Sequence, residues 1–534
     1  MDRSDGSGGL LGGAAIDRRR VLRGMAAAGA LAGAGGLLGA CGRTRAGSTV
    51  SLTGSEPRRG GHLRVGLTGG SGSDTVDPHK DLTYTDTARL QSLYDPLVQL
   101  NARAEVEYVL AESIAPAEDS ASEWIIRLRP GVTFHDGKDF TAADVLYNVQ
   151  RVVSNKFSGA HGLGPIDLKN TKALDAHTIL VPMLKPFASF VEQLAGFWFY
   201  LYMAPEGFNP AKPVGTGPFV YQSFTPGSRS VFTRNPNYWR TGLPYVDTLT
   251  VVDFVDNISL QDALITGAID AAGTLDGPQI ATLSNSSGVR TVSSAGGSIV
   301  PFTMRVDRAP FNNSGVRQAL RLLVDRQQLI DSALDGYGTV AYDVFAPFDP
   351  DFDHDLVRQA DIPQAKYLLK KAGHENLTVE LVTSPVSTGT VAMATVLAEQ
   401  ARAVGVTINL RDVPSATFFG PSYLNWTFSQ DYYAYSPYLP QVSQSMLPAA
   451  PFNETHTSNA HYTSLYNQAN ATLDEGLRKE IVTEMQMYDF DEGGYIIPAF
   501  VNSLDAYSTR LRGYGPAKVG QPLSNTDFMH FWFA

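Results

Sequence analysis

Cysteine is nearly absent: Cys41 is the only one in 534 residues. No intrachain disulfide can form, so an exported version of this chain relies on packing alone. The sequence has no Gly-x-Ser-x-Gly elbow, no His-Glu-x-x-His pair and no cysteine after position 41. The commonest signatures of nucleophilic and zinc-dependent hydrolysis are therefore missing. The ten histidines are scattered, and His456 and His461, five apart in a polar stretch, are poorly spaced for joint ligation from a helix. Neither a metal nor a cofactor is expected. No Lys/Arg run interleaved with aromatics follows the first 25 residues, and 53 acidic against 42 basic residues leave a net charge of -11. Nucleic acid is thus disfavoured as a partner. Long apolar runs are also lacking, since the stretch 25–38 is shorter than the roughly 20 residues that a membrane-spanning helix needs.

What is present is ordinary globular composition, 43% hydrophobic and 18% charged, which excludes a disordered or collagenous chain. The length exceeds the roughly 250–300 residues at which a single core stops growing, so at least two lobes are expected, with a ligand or partner between them.

Asp17-Arg18-Arg19-Arg20-Val21-Leu22-Arg23 precedes the Ala/Gly/Leu-rich stretch 25–38, a charged region followed by a short apolar core, which is the pattern of an export signal. The arginines resemble a twin-arginine signal, with Asp17 and Val21 in place of the usual Ser/Thr and Phe, so the general secretory route stays open. Leu38-Gly39-Ala40-Cys41-Gly42 looks like a lipobox: small residues admit a peptidase and the Cys41 thiol takes a diacylglycerol. Residues 1–41 then read as a lipoprotein signal and 42–60, rich in Ser, Thr, Gly and Arg, as a flexible tether.

Beyond residue 60, strand-like and helix-like segments alternate without a repeat, as in a mixed α/β chain. The period-two stretch 62–67 reads as an opening strand, and 86–94 as a short helix ended by Pro96. Residues 124–129 and 133–135 flank Pro130-Gly131, and Asp136-Gly137 makes the next turn, which predicts a small β-unit. Thr141 as N-cap with Asp144 three residues on predicts a helix through Arg151. Residues 316–335 read as one amphipathic helix, with Arg317, Arg321 and Arg326 off the apolar stripe. Another helix is expected over 363–372, stopped by Gly373.

These residues then become specific. Leu128-Arg129-Pro130-Gly131-Val132-Thr133-Phe134-His135-Asp136-Gly137 with Phe140-Thr141-Ala142-Ala143-Asp144-Val145, Gly215-Thr216-Gly217-Pro218-Phe219, Arg234-Asn235-Pro236-Asn237-Tyr238-Trp239, and Val316-Arg317-Gln318-Ala319-Leu320 with Asp325-Arg326 recur in this order. The chain resembles the extracytoplasmic solute-binding proteins of peptide and nickel ABC importers, bacterial solute-binding protein family 5. The resemblance implies a two-lobed, class II periplasmic-binding-protein-like clamp with an inserted subdomain. Lobe I would comprise 61–97, 209–296 and 508–534, the inserted subdomain 98–208, and lobe II 297–507. Read physically, His135-Asp136-Gly137 is turn chemistry, Gly215-Thr216-Gly217 a tight passage between lobes, and Asn235 to Trp239 a turn pinned by buried rings.

The window 426–439 carries six aromatic rings. In peptide-binding relatives the equivalent segment runs aromatic-x-x-Asp with an aromatic and an apolar residue seven and eight positions beyond, matched here by Phe428, Asp431, Tyr438 and Leu439. The resemblance implies that Asp431 receives a peptide's α-ammonium group, while the bare residues equally allow a loop carboxylate among core tyrosines. Phe428, Trp426, Tyr432, Tyr433, Tyr435 and Tyr84 are the further candidate contacts. The expected function is a lipid-anchored, monomeric binding protein at the outer face of the cell membrane or in the periplasm. It captures a short peptide by hinge closure and delivers it to an ABC permease. Two alternatives stand beside it: the same fold holding an oligosaccharide, metal chelate or other nutrient, and an exported hydrolase using cleft carboxylates.

Overall fold

The computed structural model describes residues 56–80, 83–196 and 201–534. The expected signal segment, Cys41 and the tether up to residue 55 lie outside them. Strand His62–Thr68 alternates as the sequence suggests, with Leu63, Val65 and Leu67 fully buried. The intervening Gly66 is covered as well, because a Cβ there would meet Leu260 Cδ1 at 2.6 Å. This strand lies centrally in an eight-stranded sheet of order Val289–Ile299, Ala499–Ser508, Ala271–Ala272, His62–Thr68, Thr248–Phe254, Arg229–Arg234, Phe219–Thr225, with Gly338–Val340 pairing with the start of Ala499–Ser508. It runs parallel to Thr248–Phe254 and Ala271–Ala272, so this core is α/β.

A second sheet of five strands has the order Thr407–Asp412, Thr378–Thr383, Phe428–Gln430, Phe302–Met304, Tyr495–Ile496. Strand Val289–Ile299 of the first sheet leads into Phe302–Met304 of the second, and Tyr495–Ile496 of the second leads into Ala499–Ser508 of the first. The two sheets are thus bridged at 300–301 and 497–498, and Ala499–Ser508, placed in lobe II by the expected borders, runs in the eight-stranded sheet. Asp343 braces the second passage. Its carboxylate accepts from the Ile497 amide at 3.0 Å and from Arg326 at 2.8 Å, and pairs with Arg358.

The third sheet, antiparallel, orders Ala111–Glu118, Ser120–Leu128, Thr178–Pro182 and Lys172–Asp175. It packs through Trp124 and Ile126 into a core shared with Tyr438, Tyr462 and Met485 of three later helices. The expected strand 133–135 is reduced to a single bridge between Thr133 and Asp139, with the Phe134 amide donating to the Lys138 carbonyl and the Phe140 amide to the Val132 carbonyl around a turn in which Gly137 takes φ +87°. Helix Ala142–Ser154 starts where expected, with the Thr141–Asp144 capping box formed. His135 reaches further than its own turn: Nδ1 accepts from the Gly215 amide and Nε2 meets the Gly217 carbonyl. Gly215 and Gly217 must lack side chains, since a Cβ on Gly217 would lie 2.5 Å from the Leu93 carbonyl carbon. The turn after Asn235 is held by more than ring burial, because Tyr238 Oη and Trp239 Nε1 both donate to the buried Asp95 carboxylate at 3.0 Å.

The expected helix 316–335 is two helices, Ser314–Leu322 and Arg326–Ala333, the second restarted by Asp325 as N-cap. Arg317, Arg321 and Arg326, expected off the apolar stripe, are buried. The reason lies elsewhere in the chain. Arg321 donates to the Asp489, Phe490, Asp491, Gly493 and Tyr495 carbonyls at the end of helix Glu475–Glu492, and Arg317 to those of Glu492 and Gly493. A guanidinium, planar and rich in donors, suits the negative end of a helix dipole, and only long-range packing reveals that its acceptors are there. Replacing Arg321 by Met would strand several buried carbonyls and should lower the unfolding free energy by about 3 kcal/mol or more in urea titrations. Arg103→Met, which removes only an exposed, solvent-screened pair with Glu105, should shift the urea midpoint far less. Equal effects would show that the Arg321 network contributes nothing.

Candidate functional site

Helix Tyr84–Leu93 begins where Thr83 Oγ1 accepts from the Asp86 amide at 3.1 Å and the Asp86 carboxylate returns the bond to the Thr83 amide. This capping box sets Tyr84 as the first helical residue. Two turns on, the fully buried Arg89 pairs with Asp86, Asp74 and Asp253 and donates to Ser230 Oγ at 2.7 Å. Three carboxylates around one cation leave excess negative charge, and burial with that crowding pushes the Asp253 carboxyl up to about 6. The cluster ties the loop before the helix to the first sheet and thereby holds Thr83 and Tyr84 at the edge of a cavity.

That cavity measures about 580 Å³, within the roughly 300–1,000 Å³ typical of small-molecule sites. Thr68, Tyr84, Asn257 and Asn502 come to it from the first sheet and its helices, Ser387 and Tyr432 from segments that follow strands of the second, and Val300 from the bridging region. Burial raises both the Tyr84 and Tyr432 hydroxyls above the ordinary tyrosine value, with Tyr432 adding to the first and Asp431 to the second. Both rings therefore stay neutral and offer a hydroxyl beside an apolar face.

Tyr432 owes its position to backbone pairing. Beyond strand Phe428–Gln430, the chain continues alongside the first passage: the Asp431 amide donates to the Pro301 carbonyl at 3.3 Å, and Tyr433 and Ile299 exchange two bonds of 2.9 Å. Tyr433 thus also lines the cavity, while its hydroxyl donates to Glu454 Oε1 at 2.8 Å. Asp431, 2% exposed, accepts from Tyr423 Oη at 2.9 Å and from the Tyr432 amide at 2.8 Å, and a side-chain hydrogen bond joins it to Glu454. Burial pushes the Asp431 carboxyl up to about 6 and Glu454 well above its usual value, the adjacent Asp431 adding to the latter.

The sequence candidates therefore separate. Tyr84, Tyr432 and Tyr433 line one cavity, and Asp431 adjoins them in the chain. Phe428, 1% exposed, lies in the core of the second sheet with its ring 5.1 Å from Phe311. Tyr435 packs on Gly297, where a Cβ would come within 2.4 Å of its ring, and on Phe348 at 5.5 Å. Trp426 borders a separate groove of about 320 Å³ and donates from Nε1 to the Phe418 carbonyl. Glu454 and Tyr423 escaped sequence reasoning, since neither lies in a motif. Of the two histidines weighed earlier, His456 meets the Leu424 carbonyl and His461 the Glu484 carboxylate, which separates them. Among the described residues no three His, Cys, Asp or Glu side chains converge as metal ligands.

With this geometry in place, comparison with known proteins is informative. Glutathione-binding protein GsiB of Escherichia coli strain K12 is 26% identical over 479 residues, covering 83% of this chain and 90% of GsiB. Two solved structures share the two-lobed fold. The ABC transporter substrate-binding protein CtaP of Listeria monocytogenes has a TM-score of 0.78 at 21% identity, over 89% of this chain and 100% of that one. DppA of Helicobacter pylori, in complex with the peptide STSA, has a TM-score of 0.75 at 21% identity, over 89% and 98%. The profile described as "Bacterial extracellular solute-binding proteins, family 5 Middle" matches residues 105–464, and the chain belongs to this family of solute-binding proteins.

Proposed function

We propose that this protein captures short peptides between its lobes by hinge closure and hands them to an ABC permease, held at the membrane by a lipid on Cys41. The observation that carries the reading is the 580 Å³ cavity, lined by residues of the first sheet and by segments that follow strands of the second, beside which lies a buried acidic residue, Asp431. The short passages at 300–301 and 497–498 lead from one of these sheets into the other, an arrangement suited to rotation about a hinge, and the chain crosses again through helices on either side of Gly338–Val340. A solute touching both sides stabilises the closed form through its differential contacts.

Lobe borders near 97, 208 and 296 are part of the proposal, and the last border, expected near 507, is drawn at the 497–498 passage because Ala499–Ser508 runs in the eight-stranded sheet. Tyr84 and Tyr432 grip backbone and side chains through ring faces and hydroxyls, and Asp431 receives the α-ammonium group, whose burial is costly without an opposite charge. The relative complexed with the peptide STSA supports this cargo class. A wall of tyrosines also suits other small nutrients, and native mass spectrometry of the mature protein separates the cases: a ladder of peptide masses is expected, and one glycan or chelate mass would refute the peptide reading.

Small-angle scattering should show the radius of gyration falling when di- to pentapeptides are added, and an unchanged profile across that panel would argue against closure. In calorimetry, Asp431→Asn should weaken peptides with a free N-terminus about 30- to 100-fold, the scale of one charged hydrogen bond of about 2–3 kcal/mol. N-acetylated peptides should change far less, and equal losses for both would remove the ammonium role.

A further inference from the structure

Asp431 has a partner that no sequence motif marks. Glu454, 3% exposed, reaches it from the loop before helix Ala460–Ala471, and the two carboxyls are joined by a side-chain hydrogen bond. No arginine, lysine or histidine among the described residues pairs with either carboxyl. The surrounding donors are neutral: Tyr423 Oη and the Tyr432 amide on Asp431, Tyr433 Oη and Thr303 Oγ1 on Glu454, with Thr303 also joined to Ser429 at 2.6 Å. The titratable groups facing the pair are Tyr423, Tyr432, Tyr433 and Tyr495, none of which supplies positive charge. A hydrogen bond between two carboxyls needs a proton on one of them, and two adjacent carboxylates without a cation cannot both ionise cheaply in a dry site. The cavity is one residue away, since Tyr433 lines it and holds Glu454 by its hydroxyl.

We infer that Asp431 and Glu454 form one acceptor that shares a proton in the empty protein and releases it to solvent when a cationic amino group of the solute takes its place. Glu454 is thereby a further specificity residue: it makes the site a dicarboxylate for a bound ammonium and a neutral-plus-anionic pair without one. The inference rests on the peptide reading above for the identity of the cation. Burial acts in the same direction, raising Asp431 to about 6 and Glu454 well above its usual value. Capture that releases a proton strengthens with pH, by up to tenfold per unit for one proton, over the window in which the empty pair holds it.

Calorimetric titration of the mature protein with trialanine, in buffers of differing ionisation enthalpy between pH 5.5 and 7.5, counts the protons. About one proton released per trialanine, and none per N-acetyl-trialanine or in Glu454→Gln, is the expected result. Tight binding of trialanine with no proton release would overturn the inference and leave peptide capture intact. If trialanine and longer peptides fail to bind, the peptide reading falls and a ligand-free measurement decides the inference instead. Carboxyls raised on folding contribute stability that is complete below their unfolded value near 4 and is lost as pH rises through about 6. The urea midpoint of the wild-type protein should therefore fall more between pH 5 and 8 than that of Asp431→Asn or Glu454→Gln. Parallel pH profiles would rule out the shared proton without any solute.

Discussion

The site depends on one stretch of backbone pairing, residues 428–433 against 299–304. Phe428–Gln430 bonds with Phe302–Met304 inside the second sheet, and the same line continues through Asp431 to Pro301 and Tyr433 to Ile299, along the passage into the first sheet. Pairing in register sends successive side chains to opposite faces. Phe428 consequently enters the core and Tyr432 meets the cavity, while Tyr433 and Asp431 both reach Glu454. A slip of one residue would exchange these roles and bury the wrong groups.

A second constraint is the burial of charge at places where chain segments must be held without a disulfide. Arg89 gathers three carboxylates under the loop that carries Thr83 and Tyr84. Arg321 and Arg317 close the end of helix Glu475–Glu492, and Asp343 joins Arg326 and Arg358 to the 497–498 passage. Such networks add little net stability over an apolar core of equal volume, but losing one member leaves unpartnered charge, which specifies a single arrangement of the segments. The Asp431–Glu454 pair differs from these three in that its hydrogen-bond partners are neutral.

Much of the fold was legible locally. The capping box of Thr141 and Asp144, the strand from His62 and the helix before Gly373 all rest on short-range sterics or periodicity, whereas Gly215 and Gly217 are required by Leu93, far back in the chain. The helix expected over 316–335 is interrupted for a local reason, since Asp325 caps a new start and Leu323 and Val324 are buried between the two pieces. The polar reading of Arg317, Arg321 and Arg326 failed for a distant one, because carbonyls at 489–495 and the Asp343 carboxylate meet their donors in the interior. Within the aromatic window, spacing singled out the right neighbourhood but not which rings face the cavity.

By itself the sequence determined the class of molecule: a mixed α/β chain too long for one core, cross-linked by no disulfide, carrying ordered blocks that turns, caps and close backbone contacts require. Length and cysteine content are read directly from the chain, and turns and caps are properties of residues near one another along it. Which candidates share a cavity, and that Glu454 stands against Asp431 across 23 positions, was decided only by tertiary structure. Burial and partnership between distant side chains depend on strand register and on how the sheets are joined, and no local pattern encodes either.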